Sequence, residues 1–243
     1  MTTTDRAEAE AGDGFAGDRP FLARAERRAR LLASRRIPFV LDVGACRGEY
    51  AQALRDAGYL GRIASFEPLA ASYRELYAAS ASDPAWDAHQ TALGSTSGTA
   101  DLNVAHDARC SSLLMVGPRS IAAAPESAFI DTARVEVRRL DDLWSSLVPA
   151  GMRPYLKLDV QGFELEVLNG LGACFDLVAA LEVELSLTPL YHGGALWSEV
   201  VDFLDIRGFR LASVEPVFED VETGEMLQID GIFVRDARPA RSV

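Results

Sequence analysis

Apolar residues gather in short runs from Ile37 onward, and these runs alternate with segments of helix-forming composition. Short apolar runs bounded by turn residues are typical of strands buried in a sheet. The strands that this pattern predicts are FVLDV (39–43), RIASF (62–66), WDAHQ (86–90), VEVRRL (135–140), YLKLDV (155–160), LVAALEVEL (177–185), FRLASV (209–214) and LQIDGIFVR (227–235).

The segments between these runs predict helices. The first, Pro20 to Arg36, has a proline suited to a first helical turn and then good helix formers. We expect this N-terminal helix to lie on the domain or over its cleft. Strand–helix alternation implies an α/β fold: a mostly parallel sheet with an antiparallel last strand and helices on both faces. The remaining predicted helices are Glu49–Ala57, Ala70–Ala79, Asp141–Leu147, Glu164–Leu168 and Ala195–Arg207.

One domain, residues 37–236, accounts for all the predicted strands. Residues 1–19 are rich in Ala, Gly, Asp and Glu without periodicity, so we expect a mobile tail there and a short C-terminal tail at residues 237–243. The stretch from Gly98 to Asp131 fits the alternation poorly. Within it, TADLNV (99–104) is a candidate edge strand, and the rest is a candidate loop that shapes a substrate pocket.

Composition and charge narrow the class of protein. The chain has 243 residues, and its formal net charge of −12 argues against a nucleic acid or an anionic membrane as the main partner. No apolar stretch approaches the ~20 residues of a membrane-spanning helix, and the first residues lack the core of a signal peptide. Cys46, Cys110 and Cys174 are widely spaced and form no C-x-x-C motif. We therefore expect reduced thiols, no structural zinc and a cytoplasmic location; a homo-oligomer is possible.

The first predicted strand ends in a glycine-containing turn, in the stretch FVLDVGACRG (39–48). Gly44 permits a backbone conformation closed to other residues, and Gly48 would let a ligand approach the start of the next helix. The spacing is not the dinucleotide fingerprint G-x-G-x-x-G. The carboxylate of Asp42 suits an amine or a hydroxyl and would repel a pyrophosphate. An ordinary tight turn with Asp42 capping the helix explains this motif alone equally well.

Glu67 changes that balance. It ends the second predicted strand, is followed by Pro68, and is placed to accept two hydrogen bonds from a ribose diol. The alternative is a solvated charge at a strand end. Together, the glycine turn and Glu67 predict S-adenosylmethionine as the ligand. In this interpretation Asp42 lies near the amino-acid moiety, the glycines under the sulfonium arm, and Glu67 on the ribose.

A longer stretch resembles a known family. YLKLDVQGFELEVLNGL (155–171) is similar to the K-x-D-x-x-G-x-E-x-x-V-L-x-G signature of the FkbM family of S-adenosylmethionine-dependent methyltransferases. The resemblance covers roughly Phe39 to Arg235 and implies a Rossmann-like class I methyltransferase fold and O-methylation of sugars or natural-product scaffolds. Further similar stretches, in the expected order, are FEP (66–68), TALGSTSGTADLNV (91–104), SSLL (111–114), RLDDL (139–143) and GEMLQIDGIFVR (224–235).

The resemblance also assigns site residues and shows two departures. Cys46 stands where the family usually carries Asn, and Gln161 stands where the signature usually has Glu, which removes one negative charge beside Asp159. Thr91 and Ala92 are the expected wall of the adenine site. The residues expected to bind the cofactor are Asp42, Gly44, Ala45, Gly48, Glu67, Pro68, Ala92 and Asp159.

Methyl transfer requires an aligned nucleophile and removal of the hydroxyl proton. Asp159 is expected to point into the cleft beside the methyl group, with Glu184 near the end of the next strand. These two carboxylates are candidate ligands of Mg²⁺, which would lower the pKa of an acceptor hydroxyl. Alternatively, they orient the cofactor or the acceptor by hydrogen bonds. His192, in a loop with two glycines, is the candidate base, and Lys157 is expected to be a buried partner of a strand-end carboxylate.

These residues predict an S-adenosylmethionine-dependent O-methyltransferase that acts on a hydroxyl of a saccharide or of a glycosylated or natural-product metabolite. N- or carboxyl-methylation of a small molecule is the first alternative. A non-catalytic S-adenosylmethionine-binding subunit is the second. A nicotinamide-dependent dehydrogenase is a weaker third alternative, because its glycine fingerprint is absent.

Overall fold

The computed structural model describes residues 18–235. The helices are α1 (Asp18–Ser34), α2 (Glu49–Asp56), α3 (Ala70–Ser80), α4 (Pro118–Ala123), α5 (Leu140–Leu147), α6 (Glu164–Asn169) and α7 (Trp197–Asp205). The strands are β1 (Phe39–Val43), β2 (Arg62–Phe66), β3 (Trp86–His89), β4 (Ala92–Leu93), β5 (Gly98–Ala105), β6 (Phe129–Arg138), β7 (Tyr155–Leu158), β8 (Ala180–Ser186), β9 (Arg210–Asp220) and β10 (Glu225–Val234).

The tails expected at residues 1–19 and 237–243 lie outside the described residues, except that α1 begins at Asp18, before the expected helix start at Pro20. Among the residues that the structure describes, no helix has the length and apolar character needed to cross a bilayer.

A seven-stranded sheet forms the centre of the domain, in the order β3-β2-β1-β7-β8-β10-β9. Strands β3, β2, β1, β7 and β8 pair in parallel, and β10 pairs antiparallel to both β8 and β9. The prediction of an α/β fold with a mostly parallel sheet and an antiparallel last strand is confirmed. Since the strand order reverses at β1, with β2 on one side and β7 on the other, the carboxyl ends of these three parallel strands meet at a switch point.

A second sheet lies outside this alternation, with the order β4-β6-β5. β5 pairs antiparallel with β6, from Gly98 opposite Val137 to Ala105 opposite Phe129. VEVRRL (135–140) was expected among the strands of the main sheet, and this prediction is wrong. Its first residues belong to β6, which begins at Phe129. The amino-terminal half of β6 is largely exposed and has no buried face to mark it as a strand, whereas TADLNV lies within β5, an edge strand of this second sheet.

The central strands of the main sheet are buried on both faces, yet they carry charged side chains. All residues of β1, β7 and β8 are buried, as expected for parallel strands covered by helices. These strands nevertheless carry Asp42, Lys157, Glu182 and Glu184. A buried charge is costly unless it is paired and hydrogen-bonded, so the partners of these four residues determine what the edge of the sheet can do.

Candidate active site

A cavity of about 720 Å³ opens at the carboxyl ends of β1, β2 and β7. This volume falls within the range of roughly 300–1,000 Å³ that is usual for small-molecule sites. Seven of the residues expected to form the site line the cavity, whereas Asp42, Gly48 and His192 do not. Those that line it are Gly44, Ala45, Glu67, Pro68, Ala92, Asp159 and Glu184.

The two glycines after β1 are required by packing within the protein. Gly44 has a φ of +78°, and a Cβ atom there would collide with the carbonyl oxygen of Asp159. Gly48 has a φ of +94° at the start of α2, and its Cβ would crowd the rings of Trp86 and the side chain of Leu76. The expectation that Gly48 admits a ligand is therefore corrected: its missing side chain leaves room for Trp86 and Leu76.

Asp42 lies beneath the turn and not in the cavity. Its side chain is fully buried, accepts a hydrogen bond of 3.1 Å from the hydroxyl of Ser65, and lies 3.4 Å from Nζ of Lys157. Burial raises the pKa of Asp42, and the Lys157 ammonium opposes this rise. The carboxylate is thus enclosed by protein groups and does not line the cavity.

Lys157 joins Asp42 to the cavity. Its Nζ is 3.3 Å from the carbonyl oxygen of Gly44 and 3.5 Å from Oδ2 of Asp159, and it lies over the ring of Tyr50. Burial alone would lower the pKa of Lys157, but the carboxylates of Asp159 and Asp42 outweigh burial and raise it. The Lys157 ammonium is therefore held between two carboxylates, and the expected pairing with a strand-end carboxylate is present.

Glu67 is held at the end of β2 by the backbone around it. One carboxylate oxygen accepts the N–H of Cys46 at 3.0 Å and the other accepts the N–H of Leu69 at 2.7 Å. The φ of Cys46 is +47°, and this residue contributes its backbone N–H to Glu67. Because the side chain is only 8% exposed, burial raises the pKa of Glu67 to about 7.

Three elements meet at the two carboxylates expected to act in catalysis. Nε2 of Gln161 donates to Asp159 at 2.7 Å and to Oε2 of Glu184 at 2.9 Å. The Tyr191 hydroxyl donates to Oε1 of Gln161 at 2.6 Å, and Gln228 of β10 donates to Oε2 of Glu184 at 2.8 Å. Burial, reinforced by the charge of Asp159, raises the pKa of Glu184 well above its usual range. The sequence did not indicate Tyr191 as part of this network, and Gln228 appeared there only within the last family-like stretch.

This arrangement does not fit Mg²⁺. Magnesium requires oxygen ligands in nearly octahedral geometry, whereas the group between Asp159 and Glu184 is an amide NH₂ of Gln161. Within residues 18–235, no group of three or more His, Cys, Asp or Glu side chains is placed to hold a metal ion. The two carboxyl groups are instead bridged by the amide of Gln161, and the Lys157 ammonium lies 3.5 Å from Asp159.

The candidate base His192 is not brought to this site. Its side chain is exposed and only its backbone is fixed, with the N–H donating to the carbonyl oxygen of Met115 at 2.8 Å. The loop that carries it turns Tyr191 into the cavity instead. The two residues are adjacent in sequence, and only the tertiary structure shows which of them faces the ligand site.

Helix α1 supplies one wall of the cavity through Arg24 and Arg28. Arg28 donates to Glu182 of β8 at 2.6 Å and lies 3.1 Å from Asp230 of β10. Tyr50 and Tyr155 also donate to Glu182, at 2.8 and 2.9 Å. The helix expected on the domain or over its cleft therefore lies against the cleft, and buried ion pairs hold it there.

Comparison with known proteins places these features in a family. The family model described as the methyltransferase FkbM domain matches residues 42–211, which include the glycine turn, Glu67 and the segment from Lys157 to Gln161. No curated protein matches the chain significantly in sequence.

Solved methyltransferase structures have a similar fold. The bifunctional kinase-methyltransferase WbdD superposes with a TM-score of 0.50 at 14% identity, over 90% of this chain and 39% of that chain. Magnesium protoporphyrin IX methyltransferase from Synechocystis PCC 6803 with bound SAM gives 0.48 at 10% identity, over 94% and 87%. Precorrin-6y C5,15-methyltransferase from Geobacter metallireducens GS-15 gives 0.47 at 12%, over 95% of each chain. At these identities the likeness is one of fold.

Proposed function

We propose, from the premise that the chain belongs to the FkbM family of methyltransferases, that it transfers the methyl group of S-adenosylmethionine to a hydroxyl. The proposed acceptor is a saccharide or a glycosylated or natural-product metabolite. The observation that carries the proposal is that Glu67, the Gly44–Ala45 turn and Asp159 line one cavity at the ends of adjacent parallel strands. Ligands of open α/β sheets bind at this edge.

Glu67 is the proposed ligand of the ribose diol. Each of its carboxylate oxygens accepts one backbone N–H and retains a second lone pair, so both oxygens can accept a hydroxyl from the ligand. Pro68 and Ala92 line the cavity beside Glu67 and are the proposed walls of the adenine site. S-adenosylmethionine, when bound, supplies an electrophilic methyl group on a sulfonium.

Asp159 is the proposed acceptor of the hydroxyl proton. Its side chain is 34% exposed and lines the cavity, while Lys157 and Gln161 hold its two oxygens from the protein side. A carboxylate fixed in this way can take the proton as the oxygen–methyl bond forms. Glu184 lies on the other side of Gln161 and is proposed to orient the acceptor by a hydrogen bond.

The net charge of the chain bears on the class of acceptor. The formal charge of −12 supports a small-molecule or saccharide acceptor over a nucleic acid, and we propose that the enzyme acts in the cytoplasm.

Two measurements test the proposal. Calorimetry should detect binding of S-adenosylmethionine and of its demethylated product, but no binding of NAD. Methyl transfer from labelled S-adenosylmethionine should then be measured over hydroxyl, amine and carboxylate acceptors, with the Asp159→Asn variant as the control for background reaction. Transfer to amines or carboxylates alone would contradict the O-methyltransferase assignment, and cofactor binding without transfer to any acceptor would favour a binding subunit.

A further inference from the structure

The amide of Gln161 occupies the space between two carboxylates. Its Nε2 lies 2.7 Å from Oδ1 of Asp159 and 2.9 Å from Oε2 of Glu184. An NH₂ group has two N–H donors, and here each points to a different carboxylate. A cation shared by the two side chains would have to occupy the same position.

The amide cannot easily turn away, because its other end is held as well. The hydroxyl of Tyr191 donates to Oε1 of Gln161 at 2.6 Å, and the hydroxyl of Ser112 donates to its backbone carbonyl at 2.7 Å. Gln161 has a φ of +55°, and a Cβ at the next residue, Gly162, would crowd the ring of Tyr191. A reversed amide would direct its carbonyl oxygen at Asp159 and Glu184, which are acceptors when ionised.

The turn that carries Gln161 is also held by hydrogen bonds to a buried glutamate. Glu164 is buried outside the cavity, and one of its oxygens accepts the N–H groups of Val160 and Gly162 at 3.0 and 3.2 Å. This hydrogen-bonding explains the Glu of the family-like signature as a residue that builds the turn. Gln161 is therefore carried on a turn held by hydrogen bonds to Glu164, and its amide is hydrogen-bonded at both ends.

We infer that Gln161 is a positioning residue that takes the place of a divalent cation, so that this enzyme transfers methyl groups without one. The positive charge that a cation would bring is supplied in part by Lys157, 3.5 Å from Asp159. A carboxylate at position 161, the residue usual in the family-like signature, would add an anionic oxygen ligand between two others, and such a set suits Mg²⁺ or Mn²⁺. The inference rests on the proposed function only in naming the reaction; the cation test itself needs no turnover.

The experiment compares Mn²⁺ binding by electron paramagnetic resonance in the wild-type protein, Gln161→Glu and Gln228→Glu. Gln228 also donates to Glu184, at 2.8 Å, but within residues 18–235 its amide makes no hydrogen bond to Asp159. The Gln228→Glu variant therefore adds the same charge without a carboxylate between the two side chains. We expect no specific Mn²⁺ binding in the wild type. Gln161→Glu should bind Mn²⁺ about tenfold or more tightly than Gln228→Glu, and adding Asp159→Asn to it should abolish the gain.

Two results would overturn the inference. The first is stoichiometric Mn²⁺ binding by the wild type that Asp159→Asn removes. The second is equal affinity in Gln161→Glu and Gln228→Glu when both variants are folded by circular dichroism. If Gln161→Glu does not fold, the wild type decides: binding removed by Asp159→Asn refutes the inference, and its absence supports it. Calorimetry with S-adenosylmethionine on the same samples reports separately on the proposed function.

Discussion

The cavity has two halves that are built by different kinds of contact. In the half proposed to bind the cofactor (the cofactor half), the carboxylate of Glu67 is fixed by backbone N–H groups of Cys46 and Leu69. In the other half, where the acceptor is proposed to bind (the acceptor half), Gln161 donates a hydrogen bond to Glu184. Tyr191 donates to Gln161 and Gln228 donates to Glu184, and both come from other parts of the chain. Backbone donors are present whatever the neighbouring residues are, whereas a side-chain network depends on every member. Substitutions next to Glu67 should therefore leave the hydrogen bonds of the cofactor half in place. A single substitution within the side-chain network should alter which groups the acceptor half can bind.

Lys157 lies between the halves, and its removal should have the largest effect. Lys157→Met leaves Asp42 fully buried without its cation, and breaking a buried ion pair in this way typically costs about 3–5 kcal/mol of unfolding free energy. Urea denaturation measures this loss. Adding Asp42→Asn should restore part of it, because no unpaired buried charge then remains at position 42. A Lys157→Met variant as stable as the wild type would show that the buried Asp42 does not need the Lys157 ammonium.

Gly44→Ala tests how closely the turn of the cofactor half packs on the acceptor half. The new Cβ would collide with the Asp159 carbonyl in a backbone of φ +78°, so we expect a loss of more than about 2 kcal/mol in unfolding free energy and weaker S-adenosylmethionine binding. Gly58→Ala is the matched control. Its φ is +86° but nothing lies within 4 Å, so it should cost only about 1 kcal/mol. Equal losses would mean that backbone strain alone is measured.

Glu67→Ala should weaken S-adenosylmethionine binding by about 1.5–3 kcal/mol, the range typical of hydrogen bonds to a charged group. The decrease is measured by calorimetry, with Asp87→Ala in the exposed part of β3 as the control. Unchanged affinity would show that Glu67 does not bind the ribose, and another residue would have to bind the cofactor there.

The same carboxylate predicts a pH dependence. Burial raises the pKa of Glu67 to about 7 in the free protein, and the ionised form is the one that accepts a hydroxyl. Affinity for S-adenosylmethionine should therefore fall as the pH drops below about 7, by up to about tenfold per pH unit for one proton. Above that pH it should not change through this group. Glu67→Gln should remove the dependence, and an identical profile in both proteins would assign it to another group.

The smallest effect is expected for His192→Ala. The imidazole is exposed and outside the cavity, and the backbone hydrogen bond to Met115 survives the substitution. We expect kcat/KM to change by less than about twofold, the range of ordinary surface substitutions. A large loss of turnover would place the His192 imidazole in the acceptor half, against its exposed position in the structure.

The sequence predicts the cofactor half better than the acceptor half, for a physical reason. Glu67 follows an apolar run directly, and its partners are backbone N–H groups that every residue except proline supplies, so strand position was sufficient to place it at the cavity. Gln161 bridges carboxylates of two elements and is held by Tyr191 from a third, and no local pattern encodes that meeting. Gly48 was identified correctly as special but for the wrong reason, because the packing of Trp86 becomes visible only in three dimensions.

The position of β10 has a consequence for synthesis of the chain. Among the strands of residues 18–235, β10 is synthesised after all the others, yet it inserts between β8 and β9 and carries Gln228 to Glu184. The strands from β1 to β8 can pair as they emerge, but the edge of β8 stays unpaired until Glu225–Val234 follows. An unpaired edge is a site for misassociation. A nascent chain would thus form the strands of the cofactor half first and keep the acceptor half open, until pairing of β10 covers the edge of β8.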